Sequence, residues 1–377
     1  MQSPCITPAH SIYTINCGLS CELSALNIGK VFEFLRQNAY VTTDDIALAD
    51  VVLINSCCVI SGKRKLVRSA LEMTLGKNHI EKIILFGCFA GIQTGNIRNI
   101  IKIPSKSIEQ IDDCFEHHIS IQDIEIQGIN QHIFMPYQAS FDTGLNYVLI
   151  SQGCVNKCSY CNIKNAKGEV QSRPVDEIVE DIRKRVTDDA NEFILAADDC
   201  GSYGRDIRTD IVSLIRKIFA SDPRIRLRLH YLFPRVLIEY EQAFMALFAT
   251  GRITYVNFPI QSGAQRILNL MNRSYDIVQV LHIVSRIKRM SPQIWLYTHI
   301  IVNFPTETER DLQASLHAAS VFDEALFMNY SKNPLTPAFR LPDVDKKQKQ
   351  RTLKTVSVFL KNNHKGLLID SDSGAPL

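Results

Sequence analysis

The chain has 377 residues, which as a soft prior suggests two or three domains of roughly 100–200 residues each. Apolar residues make up 46% and charged residues 21%, proportions that exclude a chain disordered along its whole length, a collagen and a coiled coil. The net charge of +3 is too small to argue for nucleic-acid binding, and it does not forbid it.

The first part of the chain alternates apolar runs with helical patterns, which predicts a parallel sheet with helices packed on it. A polar, glycine-containing connector over Ile119–Ile133 predicts the end of this α/β domain, which we assign to residues 1–138 with a boundary near Met135–Leu145. The predicted elements are the strands Ser11–Asn16, Val51–Asn55 and Ile83–Phe86 and the helices Glu22–Leu35 and Lys63–Leu75.

The second part repeats this scheme on a larger scale and predicts about six βα units over residues 139–342, typical of a TIM-like (βα)6 barrel, complete or partial. Residues 343–377 are expected to form a short extension with a helix at Lys346–Lys361 and a polar tail. The predicted strands are Tyr147–Ile150, Phe193–Ala197, Ile225–His230, Tyr255–Ile260, Ile294–Val302 and Leu326–Tyr330, and predicted helices include Val175–Val186 and Val278–Met290.

Features of export and membrane insertion are missing from the sequence. No apolar run approaches the roughly 20 residues that span a bilayer. The segment Met1–Pro4 lacks the basic and apolar regions of a secretory signal. We therefore expect a cytoplasmic protein with no membrane partner, in which the eleven cysteines serve metal or redox chemistry rather than disulfides.

One set of cysteines, Cys154, Cys158 and Cys161, forms a C-x3-C-x2-C pattern just after the predicted strand Tyr147–Ile150. On a βα barrel, active sites lie at this end of the strands. Three thiolates at this spacing can hold three irons of a cubic iron–sulfur cluster and leave the fourth iron open to another ligand. The alternative is a structural zinc or iron site, although zinc sites usually close with a fourth Cys or His, and none lies nearby in the sequence.

A second set, Cys17, Cys57 and Cys88, follows the three predicted strands of the first domain. Because the carboxyl ends of parallel strands emerge at one edge of a sheet, these cysteines are expected to converge and to hold a second cluster with one open iron. The alternatives are three buried, inert thiols, or Cys58 in place of Cys57, since neighbours in an extended chain point to opposite sides. No role is assigned to Cys5, Cys21, Cys58, Cys114 and Cys200.

The loop with Cys154, Cys158 and Cys161, in which Tyr160 precedes the last cysteine, resembles that of the radical S-adenosylmethionine enzymes. Together with Cys17, Cys57 and Cys88, this loop makes the chain resemble the methylthiotransferases over roughly residues 11–340. Other short motifs in the order of that family are Asn55-Ser56-Cys57, Gly87-Cys88, Ser172-Arg173-Pro174, Ser202-Tyr203-Gly204, Gln261-Ser262-Gly263, Met271-Asn272-Arg273 and Phe304-Pro305-Thr306-Glu307-Thr308-Glu309.

The resemblance implies replacement of an unactivated C–H bond by C–S–CH3. It implies two [4Fe–4S] clusters, the radical cluster on the barrel cysteines and the auxiliary cluster on the strand-end cysteines. S-adenosylmethionine would act both as methyl donor and as radical source, and an external one-electron reductant would be needed. The difficult chemistry then belongs to the cofactors, and the protein sets distances and excludes water.

Polar residues at predicted strand ends are candidates for positioning the cofactor and the substrate, because barrel enzymes place such residues there. Arg173 has a planar guanidinium suited to a carboxylate or phosphate. Each of these residues alone has a packing or surface role as its alternative, and His230 is equally interpretable as a buried structural histidine. The candidates are Tyr160, Asp199 with its neighbour Asp198, Arg173, His230, Gln261 and Asn303.

The sequence departs from the family pattern in three places. Asn303 and Thr306 stand where the family usually has glycines, so the cofactor loop is expected to differ. Ser20 replaces an asparagine near Cys17. The small β-rich terminal domain of typical members is not predicted after Phe339, because no series of short strands with turn signals appears there.

The substrate class remains open between two possibilities, of which a peptide or protein is favoured. Leu227–Tyr231 and Asp199 resemble the branch that acts on a ribosomal-protein aspartate, whereas Met271-Asn272-Arg273 and Gln261-Ser262-Gly263 resemble the tRNA branches. Basic groups that suit phosphates, with solvated helix or strand faces as their alternative, lie at Lys63–Arg68, Arg224–Arg228 and Arg286–Arg289.

Two further hypotheses accompany this one. The first is a two-cluster radical enzyme that does not insert sulfur. The second is a non-enzymatic iron–sulfur sensor that keeps the fold, since fold alone does not imply activity. Cleavage of S-adenosylmethionine separates the enzymes from the sensor, and the mass gained by the substrate separates the two enzymes.

Overall fold

The computed structural model describes residues 5–17, 21–92, 99–126, 128, 146–363 and 366–370. The chain divides into two compact units. The first comprises residues 1–136 with 165–168, and the second comprises residues 137–164 with 169–377. Within the part of the chain that the structure describes, none of the helices is both long and apolar enough to cross a membrane. The predicted boundary near Met135–Leu145 lies outside the described residues.

The first unit contains a five-stranded sheet in which every pairing is parallel, as predicted. The strand order is β2-β1-β3-β4-β5. Two of the strands, β2 and β5, were not predicted, because each lies at an edge of the sheet and carries only a short or half-buried apolar run. The elements are β1 Ser11–Asn16, α1 Glu22–Gln37, β2 Val41–Thr43, β3 Val51–Ser56, α2 Ser61–Leu75, β4 Lys82–Gly87 and β5 Ile100–Pro104.

Both faces of this sheet are covered, which explains why β3 is buried along its whole length. Alternate residues of a strand point to opposite faces. Leu53 therefore packs on the side of α1, with Val31 and Phe34, whereas Ile54 packs on the side of α2, with Val67. The continuous apolar run of β3 is the pattern typical of a central parallel strand.

The segment predicted as a connector, Ile119–Ile133, is partly built into the first unit. Ile121 and Ile124 are buried in the core beside α1, and the Asn38 Oδ1 accepts hydrogen bonds from the backbone N–H groups of His118 and Ile119. The predicted connector is therefore packed on the first unit up to Ile124. Local polarity hid the contact, which depends on a side chain about 80 residues away in the chain.

The second unit is built on a seven-stranded parallel sheet with the order β14-β13-β12-β11-β10-β9-β6. The six strands predicted from the sequence are all present, in the sequential order of a partial βα barrel. Strands are β6 Asn146–Leu149, β7 Ser151–Gln152, β8 Gln171–Ser172, β9 Glu192–Ala196, β10 Arg226–Leu229, β11 Ile253–Asn257, β12 Trp295–Val302, β13 Glu324–Asn329 and β14 Gly366–Ile369. Helices are α3 Ile163–Lys167, α4 Val175–Arg185, α5 Ile211–Ser221, α6 Pro234–Glu239, α7 Glu241–Ala249, α8 Gln265–Leu270, α9 Ile277–Met290, α10 Glu309–Ala319 and α11 Lys346–Asn363.

The C-terminal extension contains a strand as well as the predicted helix. After α11, β14 pairs in parallel with β13, in the register Leu326↔Leu367 to Met328↔Ile369. The extension is therefore one more αβ unit of the sheet, and the prediction of a helix followed by a tail is wrong for residues 366–369. A four-residue apolar run carries too little periodicity to be identified as a strand without its partner.

Candidate functional site

The barrel cysteines lie on the loop between β7 and α3, where backbone geometry fixes the first of them. Gly153 adopts a φ of 81°, in the left-handed region that favours glycine, and its N–H donates to Asp198 Oδ2 at 2.8 Å. Cys154 follows directly. Asp198 comes two residues after β9, so the carboxyl end of one strand orients the cysteine loop of another.

Each of the three thiols accepts a hydrogen bond. The Cys154 sulfur accepts from the backbone and side-chain amides of Asn156, at 3.4 and 3.2 Å. The Cys158 sulfur accepts from the Arg273 guanidinium at 3.5 Å, and the Cys161 sulfur accepts from the Ile163 N–H at 3.4 Å. Charged acceptors bind such donors most strongly, so this set of donors fits thiolates held by iron.

In the absence of iron, two of these thiols are poorly ionised. Burial, together with the neighbouring Asp199, raises the pKa of Cys154 to about 11. Burial, together with repulsion from Cys158 and Cys154, raises the pKa of Cys161 to about 12. A strong local cation, such as iron, would favour the thiolate form of both.

The barrel cysteines do not form a site for a single metal ion. Among the described residues, no three His, Cys, Asp or Glu side chains converge closely enough to hold one metal ion. A cubic cluster does not ask for such convergence, because each cysteine binds a different iron.

A buried arginine that the sequence reasoning did not select lies beside this loop. Arg273 is 3% exposed, and its guanidinium donates to the Tyr160 hydroxyl at 3.2 Å, to the Pro259 carbonyl at 2.6 Å and to the Cys158 sulfur. It also packs over the Phe233 ring at 4.2 Å. A guanidinium keeps its charge when buried, so Arg273 would compensate the negative charge of a cluster held by these thiolates. The motif Met271-Asn272-Arg273 was the available signal.

The predicted cofactor residue Asp199 is fully engaged within the protein. Its Oδ1 accepts from the Gly201 and Phe233 N–H groups at 2.9 and 3.1 Å, and its Oδ2 accepts from Ser202 at 2.7 Å and Asn156 at 2.8 Å. Burial nevertheless raises the pKa of this carboxyl. The structure thus places Asp199 where it orients the residues around Cys154.

Four buried carboxamide oxygens have no hydrogen-bond partner among the described residues. They belong to Gln152 at the end of β7, to Asn257 at the end of β11, to Gln261 four residues after β11, and to Asn303 directly after β12. A buried polar atom without a partner is costly, so it indicates a missing ligand or water. S-adenosylmethionine carries an ammonium and an adenine amino group, both donors, and these oxygens fit it.

The two positions at which the family usually has glycine, Asn303 and Thr306, require a left-handed backbone conformation in this structure. Asn303 has a φ of 57° and Thr306 a φ of 67°. Both therefore adopt the left-handed conformation that glycine would adopt without cost, and for a β-branched threonine this is strained. The Asn303 backbone N–H donates to Glu307 Oε2 at 2.5 Å, which helps to hold the loop.

The remaining predicted positioning residues lie in different surroundings. Tyr160 is half-buried and contacts the edge of Phe304. His230 is 2% exposed and lies among aromatic rings, with its centroid 4.9 Å from that of Tyr255. Arg173 donates to the Leu149 carbonyl at 2.9 Å and pairs with Asp181, so it is anchored beside β6. No ligand-binding role follows from these contacts alone.

The second cysteine set occupies adjacent strand ends of the first unit. The last paired residues of β1 and β3 are Asn16↔Asn55, and Ser56↔Gly87 pair β3 with β4. The Cys17 N–H donates to the Asn55 carbonyl at 2.9 Å, and the Cys88 N–H donates to the Ser56 carbonyl at 3.0 Å. Since neighbouring strands are about 4.8 Å apart, the three cysteine backbones lie side by side at one edge.

These three thiols are buried, and the charges of Cys57 and Cys88 interact. Burial raises the pKa of both Cys17 and Cys57 to about 11, and repulsion from Cys88 adds to the shift of Cys57. Lys63, 7% exposed, lowers both pKa values through its charge. The alternative residue Cys58 lies in the core packed against α2, with no exposure to solvent. Ser20 lies outside the described residues.

Sequence reasoning missed a fourth cysteine at this edge. Cys21 directly precedes α1, and its charge repels those of Cys57 and Cys88. The buried Lys167 lies close enough to oppose this repulsion. The available signal was the C-x3-C spacing of Cys17 and Cys21, the same as that of Cys154 and Cys158.

Two family models match the chain. The model described as the radical SAM superfamily matches residues 148–319, which include the barrel cysteines. The model described as the uncharacterized protein family UPF0004 matches residues 13–105, which include Cys17, Cys57 and Cys88.

The curated relatives match across most of this chain. A ribosomal protein uS12 methylthiotransferase RimO from Chlamydia pneumoniae is 28% identical over 92% of this chain and 76% of its own length. A tRNA-2-methylthio-N(6)-dimethylallyladenosine synthase from Acetivibrio thermocellus is 28% identical over 93% and 77%. A threonylcarbamoyladenosine tRNA methylthiotransferase from Danio rerio is 28% identical over 83% of this chain, which spans only 60% of that relative.

Solved structures agree at the level of the fold. The radical S-adenosylmethionine methyltransferase TsrM from Kitasatospora setae, solved with cobalamin and a [4Fe-4S] cluster bound, has a TM-score of 0.56 and 13% identity, and covers 88% of this chain and 77% of its own. Since the two family models, the curated relatives and both cysteine sets agree, the chain belongs to the radical S-adenosylmethionine methylthiotransferase family.

Proposed function

We propose that this protein replaces an unactivated C–H bond of a peptide or protein side chain by C–S–CH3. The observation that carries the proposal is the presence of two separate thiol sets, one on each unit. One set lies on the barrel loop at Cys154, Cys158 and Cys161, and the other lies at the ends of three adjacent strands. A radical source and a sulfur donor are different tasks, and two sites serve them.

The cofactors of the family are two [4Fe–4S] clusters and S-adenosylmethionine, which when bound supply the radical and the methylthio group. The chain's own residues hold and orient them. Arg273 compensates cluster charge, Asp199 orients Asn156 toward the Cys154 sulfur, and the free oxygens of Gln261 and Asn303 accept N–H groups of the cofactor. Burial of these groups excludes competing water.

Tyr160, His230 and Arg173 are proposed to complete the cofactor and substrate surroundings. Their contacts with Arg273, Tyr255 and Asp181 fix their positions. All eleven cysteines are free thiols, which is typical of a reducing compartment. We therefore infer a cytoplasmic enzyme that depends on an external one-electron reductant.

The preference for a polypeptide is supported by the ion pairs that several residues of the predicted basic groups form within the protein. Arg224 pairs with Asp188 and Asp222, and Lys288 pairs with Asp323. Arg228 and Arg286 also form ion pairs, with Glu192 and Glu241, and Lys63 is buried. Cations already paired offer little to a phosphate backbone, which binds by counterion release.

The test is anaerobic reconstitution followed by mass spectrometry. Iron and sulfide analysis should give two clusters, whereas a single zinc would remove any radical mechanism. With a reductant, the enzyme should cleave S-adenosylmethionine to 5′-deoxyadenosine. It should also produce S-adenosylhomocysteine and a peptide heavier by SCH3 in place of H. Formation of 5′-deoxyadenosine without methylthiolation, on peptides and on tRNA alike, would favour the radical enzyme that does not insert sulfur.

Single substitutions separate the two sites. Cys161→Ala should abolish cleavage of S-adenosylmethionine, whereas Cys17→Ala should block sulfur transfer and leave radical formation largely intact. Cys114→Ala is the matched control, because Cys114 is a buried thiol of the same unit whose sulfur bonds only locally, to the Gln110 carbonyl at 3.3 Å. Equal loss of both reactions in Cys17→Ala would contradict the division of tasks.

A tRNA substrate is the second candidate, and one surface favours it. Lys347, Arg351 and Lys354 line a groove along α11 together with Gln350, and all four side chains are exposed. The helix carries six basic residues and no acidic one. Such a strip suits a phosphate backbone.

Nucleoside analysis of bulk tRNA after reaction decides between the candidates. A methylthio nucleoside that disappears when Lys347, Arg351 and Lys354 are replaced by glutamate would establish the tRNA reading. Unmodified tRNA beside a modified peptide would support the favoured proposal.

A further inference from the structure

The outer face of α11 carries a row of exposed cations. Lys347, Arg351 and Lys354 are exposed, and their spacing of four and then three residues places them on one face of the helix. Val356 and Leu360, on the inner face, are buried in the core of the second unit. We call the row of three cations the α11 strip. The helix packs through its inner face, so the strip is left to solvent or to a partner.

The α11 strip has no counterion in the described part of the chain. The ion pair that α11 forms belongs to Lys349, whose Nζ lies 2.8 Å from Asp343 Oδ2. The helix itself contains no acidic residue. By contrast, Arg224, Arg286 and Lys288, elsewhere in the second unit, each pair with a carboxylate. The strip therefore keeps its cations available to a partner.

These charges destabilise the helix that carries them. Lys346 and Lys347 lie in the first turn, where the positive end of the helix dipole repels cations. Cations three or four residues apart on one face, such as Arg351 and Lys354, repel each other as well. Carboxylates bound along the strip would remove both penalties. The charge pattern therefore favours a partner that brings negative charge.

The strip begins beside the proposed cofactor loop. The Gln348 carboxamide donates to the Glu307 carbonyl at 2.6 Å, and the Asn303 carboxamide donates to the Lys349 carbonyl at 3.5 Å. Lys347 directly precedes Gln348, so the strip starts at the carboxyl end of β12. An extended chain advances about 3.5 Å per residue, so a segment bound there needs few residues to reach the cofactor site. Such binding raises the local concentration of the target residue.

The strip suits phosphates by charge, but two features favour a polypeptide as the partner. Val358 is 51% exposed and lies on the same face, four residues after Lys354 and three before Lys361. It offers an apolar contact between cations, which a peptide can fill with an apolar side chain. Surfaces that bind single-stranded nucleic acid instead combine cations with aromatic rings that stack on bases. Phe359, the aromatic residue of α11, packs inward against Phe327, with ring centroids 6.0 Å apart.

We propose that the α11 strip binds an acidic segment of the substrate polypeptide, a segment distinct from the residue that is modified. The inference rests on the proposed function, in which the substrate is a peptide or protein. Carboxylates of the segment pair with Lys347, Arg351 and Lys354, and its apolar side chains pack on Val358. The exposed Gln350 carboxamide, which lies among the cations, hydrogen-bonds to its backbone. The bound segment holds the target residue at the carboxyl ends of the barrel strands.

The experiment measures the binding of defined probes to the full-length protein by fluorescence anisotropy, without a reductant. The first probe is a fluorescein-labelled peptide of four Glu-Glu-Leu repeats. The strip variant carries Lys347→Gln, Arg351→Gln and Lys354→Gln. It should bind this peptide about tenfold more weakly than the parent, because three exposed ion pairs are lost.

A matched control removes the same charge from another exposed surface of the second unit. It carries Arg183→Gln, Lys184→Gln and Arg216→Gln, at exposed positions of α4 and α5 outside the strip. Its affinity for the peptide should stay within about twofold of the parent, because screening by salt weakens the effect of distant surface charges. Circular dichroism should show the same helix content in the parent and both variants, since every substituted side chain is exposed.

A second probe separates the two kinds of partner. It is a fluorescein-labelled oligouridylate with as many phosphates as the peptide has carboxylates. Tighter binding of the oligouridylate than of the peptide, lost in the strip variant, would overturn the peptide assignment and support the tRNA candidate. Equal peptide binding by the parent and the strip variant, or equal loss in the strip variant and the control, would overturn the role of the strip and leave the proposed function in place. Absence of any methylthiolated product from the parent, measured separately, would contradict the proposed function instead.

Discussion

Replacing Gly87 by alanine tests whether the close approach of β4 to β3 builds the auxiliary site. Gly87 has a φ of 109°, and a Cβ atom there would lie 2.5 Å from the Ser56 carbonyl oxygen and 3.2 Å from the Ser56 nitrogen. The adjacent Cys88 N–H donates to that same carbonyl at 3.0 Å. The substitution therefore acts on the bond that holds Cys88 beside Cys57.

The magnitude follows from the distances. Restoring an ordinary Cβ contact requires a movement of roughly 0.7 Å or more, which stretches the Cys88 bond beyond hydrogen-bond range and costs about 1 kcal/mol. The positive φ adds about 1–2 kcal/mol for a residue with a side chain. We expect Gly87→Ala to lower the free energy of unfolding of the first unit by about 3 kcal/mol and to lower iron bound by the auxiliary cysteines.

Gly168→Ala is the matched control. Gly168 belongs to the same unit and has a φ of 69°, but nothing lies within 4 Å of the Cβ position. It should lose only the backbone contribution of about 1–2 kcal/mol, with iron binding unchanged. Chemical denaturation and iron analysis of both proteins measure the difference. If Gly87→Ala cost no more than Gly168→Ala and kept its iron, the reasoning from the strand contact would be refuted.

Three further substitutions test the barrel unit. Burial raises the pKa of Glu307 from 4.5 to about 8, so the carboxyl stabilises the fold fully below about pH 4.5 and this stabilisation is lost as the pH rises through 8. Between pH 5 and 8 the free energy of unfolding should therefore fall by up to about 1.4 kcal/mol per pH unit because of this residue, and Glu307→Gln should remove that fall. An unchanged pH dependence in denaturation curves of Glu307→Gln would contradict the shift. Thr306→Gly should relieve the left-handed backbone strain and lose one hydrogen bond from Arg266. The free energy of unfolding, measured by denaturation, should rise by up to about 1 kcal/mol. A fall of that size would show that the threonine is unstrained. Arg273→Lys keeps the charge but loses the planar guanidinium that contacts Cys158. Thermal denaturation should show a free energy of unfolding lower by about 3 kcal/mol. Unchanged stability would argue against the hydrogen bonds of the guanidinium.

The sequence by itself determined the order of the long helices and strands and predicted the two thiol sets. Long apolar runs such as Val51–Ser56 are buried on both faces whatever their partners, so local pattern was enough to identify the strand. The C-x3-C-x2-C spacing of the barrel loop is likewise a local feature. The parallel arrangement then follows from alternating strands and helices, and it brings Cys17, Cys57 and Cys88 to one edge.

Tertiary structure alone decided which side chains complete the sites. Arg273 reaches Cys158 across more than 100 residues of chain, and Asp199 is saturated by donors from three separate loops. The short strand β14 exists because β13 offers it a partner, and Cys21 comes to the auxiliary edge because Ser24 bonds to Asn55. Each of these outcomes depends on contacts between distant parts of the chain, and local periodicity carries no information about such contacts.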